Sequence, residues 1–142
     1  MDCIHFNPAL FCQGALPMYF GAAAHFGEEA VAFASELGCR TVAVSATPPV
    51  YAVRKLLADG SEEAFLEQTA GMLETLAGKA REAGVRLCLK NEYWGLLRGG
   101  AVTAFLDRFD GRVFLDLDTA HLAIAGADAL AVLEANRNRL SP

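Results

Sequence analysis

The sequence predicts an α/β fold of parallel strands joined through helices, and three observations carry that expectation. Three short apolar runs each open just after a glycine: G-C-R-T-V-A-V from Gly38, G-V-R-L-C-L from Gly84 and G-R-V-F-L-D from Gly111. Such a glycine closes the preceding helix in a left-handed C-cap. Segments with the 3.6-residue period of a helix separate the runs. The last run ends in a carboxylate, Asp118, and His121 follows three residues later. Parallel βα architectures build their sites from such residues at the C-terminal ends of strands. Strands joined through helices imply right-handed crossovers. Periodicity alone leaves open a barrel segment or an open doubly wound sheet.

In chain order, Cys3 to Asn7 is a first strand, closed by Asn7-Pro8. A loop is expected from Ala9 to Phe20, with Gly14 and Pro17 as breakers. Glu28 to Leu37 reads as a helix, because Ala30, Val31, Ala34 and Leu37 fall on one face and Gly38 stops it. Arg40 to Ser45 is a buried strand, and Thr47-Pro48-Pro49 opens a longer loop. Ser61 is placed as an N-cap, with Glu62 and Glu63 at the positive end of the helix dipole. That helix runs to about Glu82, with Phe65, Thr69, Met72, Leu73, Leu76 and Ala80 at helical spacing. Val85 to Asn91 is the third strand. Val102, Phe105, Leu106 and Phe109 mark a short helix stopped by Asp110-Gly111, and Arg112 to Asp118 is the fourth strand. Asp118 is also suited to capping a turn over Thr119–Ala125. Asp128 caps a last helix from Ala129 to Asn138, and Arg139 to Pro142 reads as its tail.

Composition bounds the function. At 142 residues the chain is one domain at most, and 54% of it is apolar, with a mean hydropathy of +0.27. That excess over an ordinary soluble domain suits an incomplete or self-associating unit, or simply an Ala-rich helical composition. The net charge of −5, with no basic stripe, argues against nucleic acid as a partner. No run is long and apolar enough to suggest a membrane span, and no targeting segment is visible. Cys3, Cys12, Cys39 and Cys88 form no C-x-x-C pair, so they read as reduced thiols of a cytoplasmic protein rather than a zinc site.

The chemistry gathers at two strand ends. On the fourth strand Val113, Leu115 and Leu117 face one way, and Phe114, Asp116 and Asp118 the other. If the first set meets the helices, both aspartates point inward, and Asp116, a layer deeper, needs a partner. Asp118 and His121 can converge on one metal or one sugar hydroxyl, or Asp118 can simply cap its helix. The third strand ends L-C-L-K-N-E-Y-W, with Cys88, Lys90 and Glu92 on one face. Glu92 with a neighbouring carboxylate could share a hard cation or work as an acid–base pair, or it could merely pair with Lys90. Tyr93 and Trp94 offer aromatic surface to a sugar or pack the loop. His5 and His25 have no visible partner and read as structural.

These motifs resemble the sugar phosphate isomerase/epimerase family, the xylose-isomerase-like barrels. The matching pieces are Leu37–Val44, Gly84–Glu92 and Phe114–Asp128, the last with its D-T-x-H, short apolar helix and G-x-D. The resemblance implies that residues 1–142 form a single partial domain, about half of a TIM-type (β/α)8 barrel, roughly its third to sixth strands. It implies proton transfer on a sugar or sugar phosphate, assisted by a divalent metal (Mn, Mg, Co or Zn). The family holds that metal with Glu, Asp, His and Glu from four strands. Asp118 matches the family Asp and His121 the histidine after it, while Lys90 stands where a Glu precedes the Asn of an E-N pair. The implied roles are Asp118 and Glu92 for metal, Glu92 and His121 for catalysis, and Lys90, Asn91, Trp94 and His121 for substrate. Lys90 would repel a cation, so metal binding is expected to be weak or absent in this chain.

Two further expectations compete with an isomerase fragment. One is a catalytically inert half-barrel that binds a ligand or a protein, self-associating through open sheet edges. The other is a phosphodiesterase of the endonuclease IV type, which the acidic charge disfavours.

Overall fold

A computed structural model of the chain describes residues 2–10, 16–48 and 50–141. Four strands, β1 (Cys3–Phe6), β2 (Thr41–Val44), β3 (Arg86–Lys90) and β4 (Phe114–Asp116), form one sheet in the order β1-β2-β3-β4. Every neighbouring pair is parallel, with Cys3 opposite Thr41, Thr41 opposite Arg86, and Cys88 opposite Phe114. The helices are α1 (Leu16–Glu36), α2 (Val50–Asp59), α3 (Glu62–Glu82), α4 (Ala101–Leu106), α5 (Thr119–Ile124) and α6 (Ala129–Asn136).

Alternation along the strands divides the two faces of the sheet. Phe6, Val42, Val44, Leu87, Leu89, Val113 and Leu115 are buried in a core shared with Ala34, Met72, Leu73 and Leu76 of α1 and α3. The opposite face carries His5, Arg86, Lys90, Phe114 and Asp116, and it is partly open. This face is strongly concave. His5 on β1 and Asp116 on β4 lie at opposite ends of the strand order, yet their side chains approach to 3.8 Å. In a flat sheet three inter-strand steps would separate those strands by about 14 Å. The sheet therefore curls as a barrel wall does.

Several elements differ from the sequence expectation. Helix α1 begins at Leu16, not Glu28, and a 3-10 turn spans Pro8–Leu10, so both ends of the expected loop over residues 9–20 are helical. Gly14 and Cys12 lie outside the described residues. Pro17 falls in the first turn of α1, where a missing N–H breaks no intrahelical bond. Gly27 is tolerated because α3 packs there: a Cβ would come within 2.9 Å of Leu76. Helix α2 occupies the expected loop after Thr47, for the Pro48-Pro49 pair stands just before a helix and does not interrupt one. Ala52, Val53 and Leu56 bury its inner face.

Strand β4 leaves the ladder after Asp116, two residues earlier than expected. Residues 139–141 are not a helix tail. Leu140 bridges Leu115 in parallel, with Leu115 N–H donating to the Arg139 carbonyl (2.6 Å) and Ser141 N–H to the Leu115 carbonyl (2.7 Å). Arg139 is anchored by Asp107 (2.7 Å) and by the buried Asn136 (2.7 Å). The β4 edge is thus partly covered, while no strand pairs with the outer edge of β1 among the described residues. Among those residues, no helix is long and apolar enough to cross a membrane.

Candidate functional site

The site is assembled where β3 and β4 end. Asn91, fully buried, holds it together. Its side-chain oxygen accepts from the Asp118 N–H at 2.7 Å, and its amide donates to the Asp118 carbonyl at 2.9 Å. The Asn91 side chain thereby replaces the rung that β4 no longer makes with β3. Asp118 stays extended and caps α5, its Oδ1 accepting from the His121 N–H at 3.0 Å. The capping role and the site role of Asp118 coexist, because they use different carboxylate oxygens. The other oxygen, Oδ2, lies 3.2 Å from the Lys90 ammonium. The His121 N–H, first, and then Lys90 hold the Asp118 carboxyl below the usual carboxylate range, against some opposing desolvation.

One turn into α5, the His121 ring swings back over this strand end. Its Nδ1 is 3.2 Å from Glu92 Oε2, 3.2 Å from the Asn91 carbonyl and 3.7 Å from Asp118 Oδ2. All three neighbours are acceptors, so Nδ1 carries a hydrogen, and Nε2 is the nitrogen that can take up or release a proton. The Glu92 side chain is only 11% exposed. Tyr93 packs edge-on against His121, with ring centroids 5.0 Å apart.

Of the residues expected from the sequence, Lys90, Asn91, Glu92, Asp118 and His121 therefore come together. Trp94 is half-buried in the same loop, but Tyr93 supplies the aromatic ring against His121. The alternative Lys90–Glu92 ion pair is not what forms: Lys90 pairs with Asp118 and Glu92 with His121. His5 and His25, expected to lack partners, have them. His25 faces Glu29 at 3.6 Å on the outer surface, and His5 faces Asp116 on the concave one. His5 could have been found from strand alternation, which puts it on the same face as Lys90 and Asp116. Cys88 also lies on that face but is fully buried, and burial pushes its thiol up to about 11. Cys3, Cys39 and Cys88 are free thiols.

A divalent metal does not fit these residues. Asp118 Oδ2 is occupied by an ammonium, and His121 Nδ1 points a hydrogen, not a lone pair, into the cluster. Among the described residues no three His, Cys, Asp or Glu groups converge as ligands. The charge term alone is large. Unit charges ~4 Å apart at an effective dielectric constant of ~20 interact by about 4 kcal/mol, so an ammonium opposes a divalent ion there by several kcal/mol, part of which the Asp118 and Glu92 carboxylates offset.

No protein-family model and no curated protein matches the chain. Solved structures do match its fold. A sugar phosphate isomerase/epimerase from Parabacteroides distasonis superposes with a TM-score of 0.71 at 15% identity, covering 99% of this chain and 49% of that one. An L-ribulose 3-epimerase superposes with a TM-score of 0.74 at 20% identity, covering 99% of this chain and 58% of that one. The chain thus spans about half the length of these structures. With the curled parallel sheet, they establish its architecture as part of a TIM-type (β/α)8 barrel.

Proposed function

We propose that residues 1–142 are a partial barrel domain carrying the proton-transfer corner of a sugar isomerase- or epimerase-type site, with a sugar, sugar phosphate or related polyol as substrate. The observation that carries this is the 3.2 Å contact between Glu92 and His121 at the C-terminal mouth. In this mechanism Glu92 removes the proton from the carbon beside the sugar carbonyl. The electrons of that C–H bond form the carbon–carbon double bond of an enediol, and the carbonyl oxygen takes a proton from His121 Nε2. Returning the proton from Glu92 to the adjacent carbon, while the neighbouring hydroxyl gives its proton back to Nε2, completes an aldose–ketose exchange. Asn91 positions His121 through its backbone carbonyl and Asp118 through its side chain. Tyr93 and Trp94 flank the mouth. The fold likeness supports the reading only by analogy. No step passes through a metal.

The test is product formation from a panel of ketopentoses, ketohexoses and their phosphates, separated by chromatography. Glu92→Gln and His121→Ala are each expected to lower turnover at least ~100-fold, the usual scale for a general acid or base. Turnover unaffected by both would remove the assignment.

The open concave face favours a second reading, a half-barrel that associates with another copy of itself. The His5 side chain is 61% exposed there. Light scattering decides it: a dimer or larger species is expected, and a monodisperse monomer would count against it. The free thiols of Cys3, Cys39 and Cys88 support a reducing, cytoplasmic setting.

A further inference from the structure

We propose that Lys90 is the resident cation of this site, a tethered ammonium that holds the oxygen of a hydroxy-carbonyl ligand where a divalent metal would otherwise sit. The inference rests on the proton-transfer reading for its ligand class, but not for its geometry.

Four features of the cluster point to it. The ammonium of Lys90 lies 3.2 Å from Asp118 Oδ2, so the carboxylate already has its counter-charge. The other oxygen of Asp118 is consumed by the His121 N–H at 3.0 Å. The lone pairs of Glu92 Oε2 and the Asn91 carbonyl both face the His121 Nδ1 hydrogen at 3.2 Å. Both oxygens of Asp118, the Asn91 carbonyl and one oxygen of Glu92 are thus met by hydrogens carried on the chain itself. Lys90, finally, is not sealed in: its side chain is 22% exposed on the concave face, in register with Asp116.

An ammonium has three N–H donors, and the Asp118 contact uses one. Among the described residues the other two meet no acceptor, which leaves them for ligand oxygens at the mouth. As the α-proton leaves for Glu92, negative charge grows on the former carbonyl oxygen. A donor cation beside it stabilises that charge without needing a metal. Lys90 bonds covalently to nothing in this scheme and keeps its protons throughout.

The experiment uses Mn²⁺ alone as the probe, titrated into the full chain by calorimetry and followed by the paramagnetic resonance of the free ion. The wild-type chain is expected to show no saturable binding below about millimolar Mn²⁺, while Lys90→Glu gains roughly 100-fold or more in affinity as the repelling charge becomes a ligand. Lys90→Gln, which removes the charge without adding a second carboxylate beside Asp118, is expected to gain less. It also serves if the glutamate variant does not fold. Circular dichroism establishes that each variant is folded. Stoichiometric Mn²⁺ binding by the wild type, lost in Asp118→Ala, overturns the proposal. So does a folded Lys90→Glu or Lys90→Gln that gains no affinity. The outcomes separate the two claims. Isomerisation that requires added Mn²⁺ keeps the proposed function and sinks this inference. Metal exclusion lifted by Lys90→Glu, with no isomerisation of any sugar, does the reverse.

Discussion

Replacing Asn91 with alanine removes two hydrogen bonds at once, to the N–H of Asp118 at 2.7 Å and to its carbonyl at 2.9 Å. Both partners are backbone groups at a strand end that has already left the ladder, and the Asn91 side chain is fully buried. Water has little access to take its place. A made hydrogen bond contributes roughly 1 kcal/mol net, and a buried group left without a partner costs ~1–3 kcal/mol. Two orphaned groups, with little water to replace the lost bonds, bring the expected loss to about 3 kcal/mol. With a urea m-value of ~2 kcal/mol per molar, the unfolding midpoint should fall by about 1.5 M. Urea unfolding followed by far-ultraviolet circular dichroism reads this directly. Asn91→Asp retains an acceptor for the Asp118 N–H but loses the donor, and it adds a carboxylate beside Glu92, so it should not restore stability. A loss below about 1 kcal/mol in Asn91→Ala would refute the reasoning, because it would mean that the side chain does not stand in for the missing rung.

Three further outcomes follow from particular contacts. Asp118 has its carboxyl pKa lowered in the fold, so its charge stabilises the protein above the unfolded value of ~3.9 and that contribution disappears as pH falls through the lower folded value. The stability gap between wild type and Asp118→Asn should therefore be constant near neutrality and close in acid, and a gap that persists unchanged at the lowest pH would contradict this. Gly95 has φ +86° and a Cβ there would lie 2.7 Å from the Thr47 methyl, so Gly95→Ala should cost about 2 kcal/mol or more in thermal or urea unfolding; a neutral effect would mean the loop moves freely. With its thiol near 11, Cys88 is only about one part in a thousand thiolate at pH 8, so iodoacetamide with mass spectrometry should label the half-buried Cys3 before Cys88, and Cys88 only on unfolding.

Much of the fold is legible in the chain because glycine and apolar alternation act locally. Gly38, Gly84 and Gly111 each adopt positive φ ahead of a strand, as C-cap positions require. Asp118 and Asp128 both cap helices, as their spacing suggests. The elements that were not legible depend on partners distant in sequence. Helix α1 carries Gly21 and Gly27 and persists through them because Tyr19, Ala23 and Val31 are buried and Leu76 of α3 approaches Gly27 closely. Helix α2 hides behind Pro48-Pro49, whose loop signal is also a helix-start signal. The pairing of Leu140 with Leu115 depends on β4 offering an edge, which no local pattern encodes.

The site was legible as a set but not as a wiring diagram. Strand alternation places Lys90 and Glu92 on one face, and helical spacing brings His121 back toward Asp118. Which acid meets which base is decided by Asn91, whose two bonds set the height of Asp118 against β3. His5 reads as structural in the sequence because its partner, Asp116, lies across the full width of the sheet, and only curvature joins them.

The central claim is that Glu92 moves a proton to and from carbon. The most direct measurement is deuterium incorporation from D₂O into the carbon next to the carbonyl of ketopentoses, ketohexoses and their phosphates, followed by proton NMR. Exchange at that one carbon for at least one sugar, abolished by Glu92→Gln in a folded chain, is the predicted result. Exchange that survives Glu92→Gln, or none with any sugar of the panel, would contradict it.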